Sequence, residues 1–304
     1  MSKLALLFSG QGSHYVGMGL DYKSKLFRQA HDILGYCPKD ILEEQDKLDQ
    51  TLYAQPLIVL KSIIGFETLK DIVRFDGVLG FSLGEYSALH VAGVFGFEDI
   101  IRLVSIRSNL MQEASLLHPG SMAAVIGLDE QSIEEVCEKL QHRCMIANFN
   151  SYQQYVISGE EKAVDEAVLL LKEKGAKRVI KLNVSGAFHS PLMAPVSDRF
   201  HTELKAFTPH KPRVPIYMNK TGKPFQLIDL YGLMAAQMSH PVQFIQSIEA
   251  MKNDGFTHFL EIGPGKTLAG LVKKIDPHLE VMSFDKYDEI DLVKGWLDNH
   301  GFTQ

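Results

Sequence analysis

Gly80-Phe81-Ser82-Leu83-Gly84 sets a serine between two glycines at the spacing of a sharp strand-to-helix bend. Just before it, Val78-Leu79 is a short apolar run of the kind that forms a buried parallel strand. After it, Leu83 to Ala92 holds good helix formers and no proline, and Gly93 stops the run. Strand, tight turn and helix therefore follow in order, and the helix N-terminus lies under the serine with free N–H groups. A serine hydroxyl is a weak nucleophile at neutral pH. It needs this presentation, a base, and hydrogen-bond donors for the oxyanion that its attack creates.

Two more segments repeat the strand-and-glycine pattern. Leu4 to Phe8 runs into Ser9-Gly10-Gln11-Gly12-Ser13, and Phe259-Leu260-Glu261-Ile262 runs into Gly263. Between 121 and 184 the pattern changes. Strands are predicted at Met122 to Leu128, Cys144 to Ala147, Tyr155 to Ser158 and Arg178 to Val184, with helices at Gln131 to Leu140 and Lys162 to Lys174. That order, βαββαβ, is the ferredoxin-like unit. The predicted fold is α/β: a large α/β-hydrolase-like domain, residues 1–120 and 185–304, with a parallel sheet and nucleophile turn, and a small ferredoxin-like subdomain inserted at 121–184.

With 304 residues, 45% hydrophobic and 22% charged, the chain is long enough to bury a full core. A net charge of −6 argues against nucleic acid as the main ligand, since phosphate binding needs clustered Lys and Arg. Cys37, Cys137 and Cys144 fit neither a CxxC nor a zinc spacing, so no disulfide framework or metal site is expected, and the compartment is expected to be reducing. The apolar run at Met1 to Phe8 breaks at Ser9-Gly10, and no later run of about 18 apolar residues is seen, so a cytoplasmic protein without a membrane segment is expected. Two glycine motifs fail as nucleotide sites: Tyr15 stands at the third glycine of a GxGxxG pattern, and Leu260 at the first glycine of a P-loop ending Gly265-Lys266-Thr267.

Two residues beyond the turn carry chemical information. His189 sits just past a predicted strand in Val184-Ser185-Gly186-Ala187-Phe188-His189-Ser190-Pro191, a loop of small residues where a base can stand; a loop histidine with no role is the alternative. On the helix predicted from Glu98 to Ala114, Arg107 falls inside the apolar stripe of Ile100, Leu103, Val104, Leu110, Met111 and Ala114, whereas Arg102 falls on the polar side. A guanidinium aimed inward keeps its charge and needs an anion. Either an internal Asp or Glu supplies it, or a substrate carboxylate does.

In this combination the chain resembles the malonyl-CoA:acyl carrier protein transacylase family, including the stand-alone acyltransferases of polyketide synthases. The resemblance spans Leu6 to about Ile275. It rests on Phe8 to Ser13 with Gly17-Met18-Gly19, on Gly80 to Leu89, on Arg107 with Met111-Gln112, and on Met122 to Leu128. It continues through Asn148-Phe149-Asn150-Ser151, Ala187-Phe188-His189-Ser190, Gln237 with Pro241-Val242, and Glu261 to Gly265.

The resemblance implies a two-step transfer. Ser82 takes malonyl from malonyl-CoA with His189 as general base, and the phosphopantetheine thiol of an acyl carrier protein then removes it. It further implies Gln11 and Leu83 N–H groups as the oxyanion hole, Arg107 and Phe188 as substrate-binding residues, the Gln237 carbonyl as the group that orients His189, and Asn150 as a supporting residue. No cofactor or metal is called for, the pathway is fatty-acid or polyketide synthesis, and a monomer is expected. Phe81 and His14 depart from the family, which commonly has His and Gln there. The cations Lys172, Lys174, Lys177, Arg178 and Lys181 are either a surface for an acidic carrier or an ordinary solvated face. A serine esterase or thioesterase is the competing enzyme class, and predicts an Asp or Glu behind the histidine; a carrier-docking scaffold without turnover is the non-enzymatic one.

Overall fold

A computed structural model describes residues 2–184, 186–226 and 229–304. Met1 of the N-terminal run and Ser185 of the His189 loop, where the predicted domain boundary falls, lie outside the described residues. The strands are β1 (Lys3–Phe8), β2 (Gly77–Gly80), β3 (Gly120–Ile126), β4 (Cys144–Ser151) and β5 (Gln154–Glu160), followed by β6 (Arg178–Lys181), β7 (Ile216–Met218), β8 (Lys223–Pro224), β9 (Phe256–Ile262) and β10 (Glu280–Phe284). They form two sheets. One has six strands in the order β10-β9-β1-β2-β7-β8, parallel except for the short hairpin partner β8. The other has four antiparallel strands in the order β4-β5-β3-β6.

The apolar runs that end in glycine turns are the centre of the parallel sheet. β2 and nearly all of β1 are buried, as strands with helices on both faces must be. Their register matters for the site, because Phe8 lies level with Gly80 on one side and with Ile262 on the other. The loops that begin at Ser9, Phe81 and Gly263 therefore leave the sheet side by side at its carboxyl edge, where open parallel sheets place their ligands. The four-stranded sheet is tied to the segment between helices Leu230–Gln237 and Phe244–Asn253 where Val242 bridges Asn148: Phe149 N–H donates to Val242 O at 3.0 Å, and Val242 N–H to Ala147 O at 2.8 Å.

In the 121–184 region all six predicted elements are present in the predicted order, with helices Glu130–Lys139 and Glu161–Glu173. Two boundaries differ by more than two residues. β4 continues to Ser151 rather than stopping at Ala147, because Asn148, Phe149 and Ser151 still pair with β5 across two register shifts. β6 ends at Lys181 instead of Val184, since it pairs with β3 alone at the sheet edge. Helix Thr51–Leu69 is 19 residues long and apolar enough to match a membrane span, a length that Gln55, Lys61 and Glu67 mask in the sequence. Most of it is buried within the protein core.

Candidate active site

Ser82 stands at φ +50°, in the left-handed region that a side chain occupies at a cost, as the tight turn requires. The flanking glycines are obligatory for steric reasons. A Cβ on Gly80 would come within 1.9 Å of the Gly84 backbone, and one on Gly84 within 2.0 Å of the Phe8 carbonyl oxygen. Helix Gly84–Val91 then starts directly after Leu83, which puts its positive end at the serine. Among the described residues no acceptor takes the N–H of Leu83 or of Gln11.

His189 lies 107 residues further along, yet its Nε2 is 2.7 Å from Ser82 Oγ. It too has positive φ, +59°, and it is almost fully buried. Its Nδ1 is 2.8 Å from Gln237 O and 3.1 Å from His240 O. Carbonyls only accept, so Nδ1 carries the proton and Nε2 is left to receive the serine's. Burial, and then the charge of Arg107, push the imidazole down to about 4, which keeps it a neutral base at pH 7.

Arg107 lies on helix Phe97–Leu117 and is 1% exposed, with the predicted apolar stripe buried around it and Arg102 outside. Its Nη1 donates to Gln55 Oε1 at 2.7 Å and its Nη2 to Gln237 Oε1 at 3.0 Å, and its guanidinium lies 5.4 Å from the centre of the Tyr86 ring. Among the described residues no Asp or Glu comes within 4.0 Å of it, and Nε has no partner. The internal ion pair allowed for in the sequence reading is therefore absent among them. With two amide oxygens, one idle N–H and only the longer-range influence of Glu85, this buried cation is under-compensated, and a carboxylate entering from the cleft would complete it.

These groups open onto one cleft of about 500 Å³ between the two sheets. Its walls include Gln11, Phe81, Met122, Asn150, Val156 and Phe188. Asn150 is buried, and among the described residues its Oδ1 has no partner. The Phe81 ring packs edge-on against Phe244 with centroids 5.5 Å apart, so this departure from the family supplies packing where a histidine would be polar. His14 also faces the cleft and bonds Asp49 at 3.3 Å. Of the cation run, Lys174 and Lys181 are paired with Glu135 and Asp165.

Gln237 does more than its sequence position suggested. Besides its carbonyl on His189 and Oε1 on Arg107, its Nε2 donates to Ser82 O at 2.9 Å, so it touches all three residues. Sequence reasoning missed Gln55 and Asn219. Gln55 carried the signal that betrayed Arg107, a polar residue in an apolar helix, and it is completely buried. Asn219 follows β7 with no glycine or motif to mark it. Its Oδ1 accepts the Ser82 N–H at 2.6 Å.

Comparison with known proteins agrees with this geometry. The acyl transferase domain family matches residues 5–275. A malonyl CoA-acyl carrier protein transacylase of Staphylococcus aureus is 39% identical, over 98% of this chain and all of the relative. Among solved structures, MCAT from Streptococcus pneumoniae superposes with TM-score 0.92 at 38% identity, covering 97% of this chain and 100% of that one. A malonyl-transacylase in complex with its type II PKS acyl-carrier protein superposes with TM-score 0.92 at 34% identity, over 97% of this chain and 99% of that one. With the serine turn, the buried arginine and these relatives in agreement, the chain belongs to the malonyl CoA-acyl carrier protein transacylases of the acyl transferase family.

Proposed function

We propose that the protein transfers a malonyl group from malonyl-CoA to the phosphopantetheine thiol of an acyl carrier protein through an ester on Ser82. The observation that carries this is Arg107: a buried guanidinium with neutral partners, opening on the cleft that holds the Ser82–His189 pair. An enzyme for uncharged acyl groups has no use for it.

In the first step Ser82 Oγ attacks the thioester carbon while His189 Nε2 takes its proton. The N–H groups of Gln11 and Leu83 face the oxyanion, and the proton leaves with the CoA thiol as the ester forms. In the second step the carrier's thiol passes its proton to His189 and attacks the ester; the new thioester forms as the bond to Ser82 Oγ breaks, and His189 returns the proton to that oxygen. Arg107 holds the malonyl carboxylate, Phe188 shapes the acyl pocket, Asn150 supports the arm of the substrate, and the Gln237 carbonyl keeps the imidazole in its tautomer. Thioesters are reactive acyl donors, so no cofactor is needed; the task is to keep water from the acyl-enzyme, which an apolar cleft does.

The large unit, 1–120 and 185–304, is best taken as an α/β-hydrolase-like domain and 121–184 as an inserted ferredoxin-like one. The parallel sheet with its serine turn supports the first reading, and the β4-β5-β3-β6 order supports the second. The esterase reading would put a carboxylate behind His189, where two carbonyls stand. The test is incubation with malonyl-CoA and holo carrier protein. Malonyl-carrier as the main product is expected, and mostly free malonate would overturn the transferase reading.

A further inference from the structure

Asn219 is positioned by strand register. Val78 pairs with Ile216 and Leu79 with Tyr217, so one residue beyond the end of β7 brings Asn219 beside the turn that begins after Gly80. There its side chain spans the turn. Nδ2 donates to Gly80 O at 2.6 Å, before the serine, and Oδ1 accepts the N–H of Ser82 itself at 2.6 Å. The Asn219 backbone is held in turn: its N–H donates to Glu85 Oε2 at 2.7 Å, and its carbonyl accepts the Gln243 N–H at 2.9 Å. Asn219 and Glu85 are each 1% exposed.

This arrangement answers two needs. Ser82 is held at φ +50°, a conformation that persists only where its surroundings over-determine it, and a clamp on both sides of the residue does so. The clamp also decides which donors face the cleft. The Ser82 N–H is committed to Asn219, so it cannot serve the oxyanion, which leaves Leu83 and Gln11 for that task. We infer that Asn219, backed by Glu85, is a positioning residue that sets the Ser82 turn for attack, acting on the nucleophile and not on the substrate. The inference rests on Ser82 being the nucleophile of the proposed transfer.

Two probes of Ser82 separate the possibilities: the single-turnover rate of malonyl ester formation from malonyl-CoA, followed by mass spectrometry, and the rate of sulfonylation by phenylmethylsulfonyl fluoride, which needs no acyl recognition. For Asn219→Ala both rates should fall in parallel, by about 10- to 100-fold for a nucleophile displaced by around an ångström, with the malonyl-CoA concentration for half-maximal rate nearly unchanged. Asn219→Asp keeps the shape and the acceptor for Ser82 but cannot donate to Gly80, so its rates should fall between the two. It carries the test if the alanine variant does not fold. A merely structural loss would lower the amplitude of labelling and leave the rate constants alone, which would overturn the inference, as would a wild-type sulfonylation rate in either folded variant. Failure of wild-type protein to form any malonyl ester, with sulfonylation still sensitive to Asn219, would instead remove the malonyl reading and leave the positioning role standing.

Discussion

Arg107 Nη2 donates to Gln237 Oε1 at 3.0 Å, and the main chain of the same Gln237 accepts from His189 Nδ1 at 2.8 Å. One residue thus joins the group that would hold the substrate's carboxylate to the group that would move its proton. Binding of the acyl group and orientation of the base are set by a single rigid position at the end of helix Leu230–Gln237.

Arg107→Ala should remove two charge-assisted hydrogen bonds to the malonyl carboxylate. At about 1.5–3 kcal/mol for each such bond, the loss in kcat/KM for malonyl-CoA is about 100-fold or more. Acetyl-CoA, which has no carboxylate, should be used as well as or better than by the wild type. Parallel assays with the two thioesters check this; an equal loss for both would make Arg107 a structural cation.

Gln237 offers a sharper discrimination. Gln237→Ala keeps the carbonyl that orients His189 and loses only the side-chain bonds to Arg107 and Ser82, so KM for malonyl-CoA should rise several-fold with a smaller change in kcat. Gln237→Glu places a carboxylate against Arg107, where it mimics and competes with the substrate. Steady-state kinetics should therefore rank glutamate below alanine for malonyl-CoA, although glutamate is closer to glutamine in shape.

His189 is held down to about 4 by burial first and Arg107 second. In the proposed mechanism a neutral imidazole is the active base, so the rate of Ser82 modification by phenylmethylsulfonyl fluoride should be flat through neutrality and fall only as the pH approaches about 4. Removing Arg107 removes a lowering influence. The acid limb of Arg107→Ala should accordingly move toward neutral pH, and a pH–rate profile of the two proteins shows whether it does.

Glu85 is fully buried, and burial raises it from 4.5 to about 7, against the opposing effects of the Asn219 N–H and Arg107. A carboxyl group whose folded value lies above its unfolded one favours folding when protonated. Its contribution is full below about 4.5 and is lost as the pH rises through about 7. Glu85→Gln cannot titrate, so relative to wild type it should gain stability between pH 5 and pH 8, by roughly 3 kcal/mol at most. Urea unfolding at the two pH values measures the difference.

Much of this site could be read from local sequence. The Ser82 turn is written in five adjacent residues because the steric demand of a strand-to-helix bend is local, and Arg107 betrays itself because helical periodicity fixes which face a residue joins. The βαββαβ order is legible for the same reason, though not where β6 ends, since an edge strand stops where its only partner can no longer support it. Other features had no local trace. The resemblance named His189, but its composition and spacing could not tell a base from an idle loop histidine, and only the fold brings its Nε2 to Ser82 across 107 residues. Gln55 and Asn219 were invisible as site residues, because their roles depend on helix packing and on the β2–β7 register.

The sequence by itself determined the serine turn, the buried cation and the order of the elements, all consequences of backbone geometry over a few residues. Only the tertiary structure decided what Arg107 faces and how the serine is held. Whether a buried charge meets an internal carboxylate or an open cleft depends on which distant strands and helices pack around it, and no local periodicity encodes that.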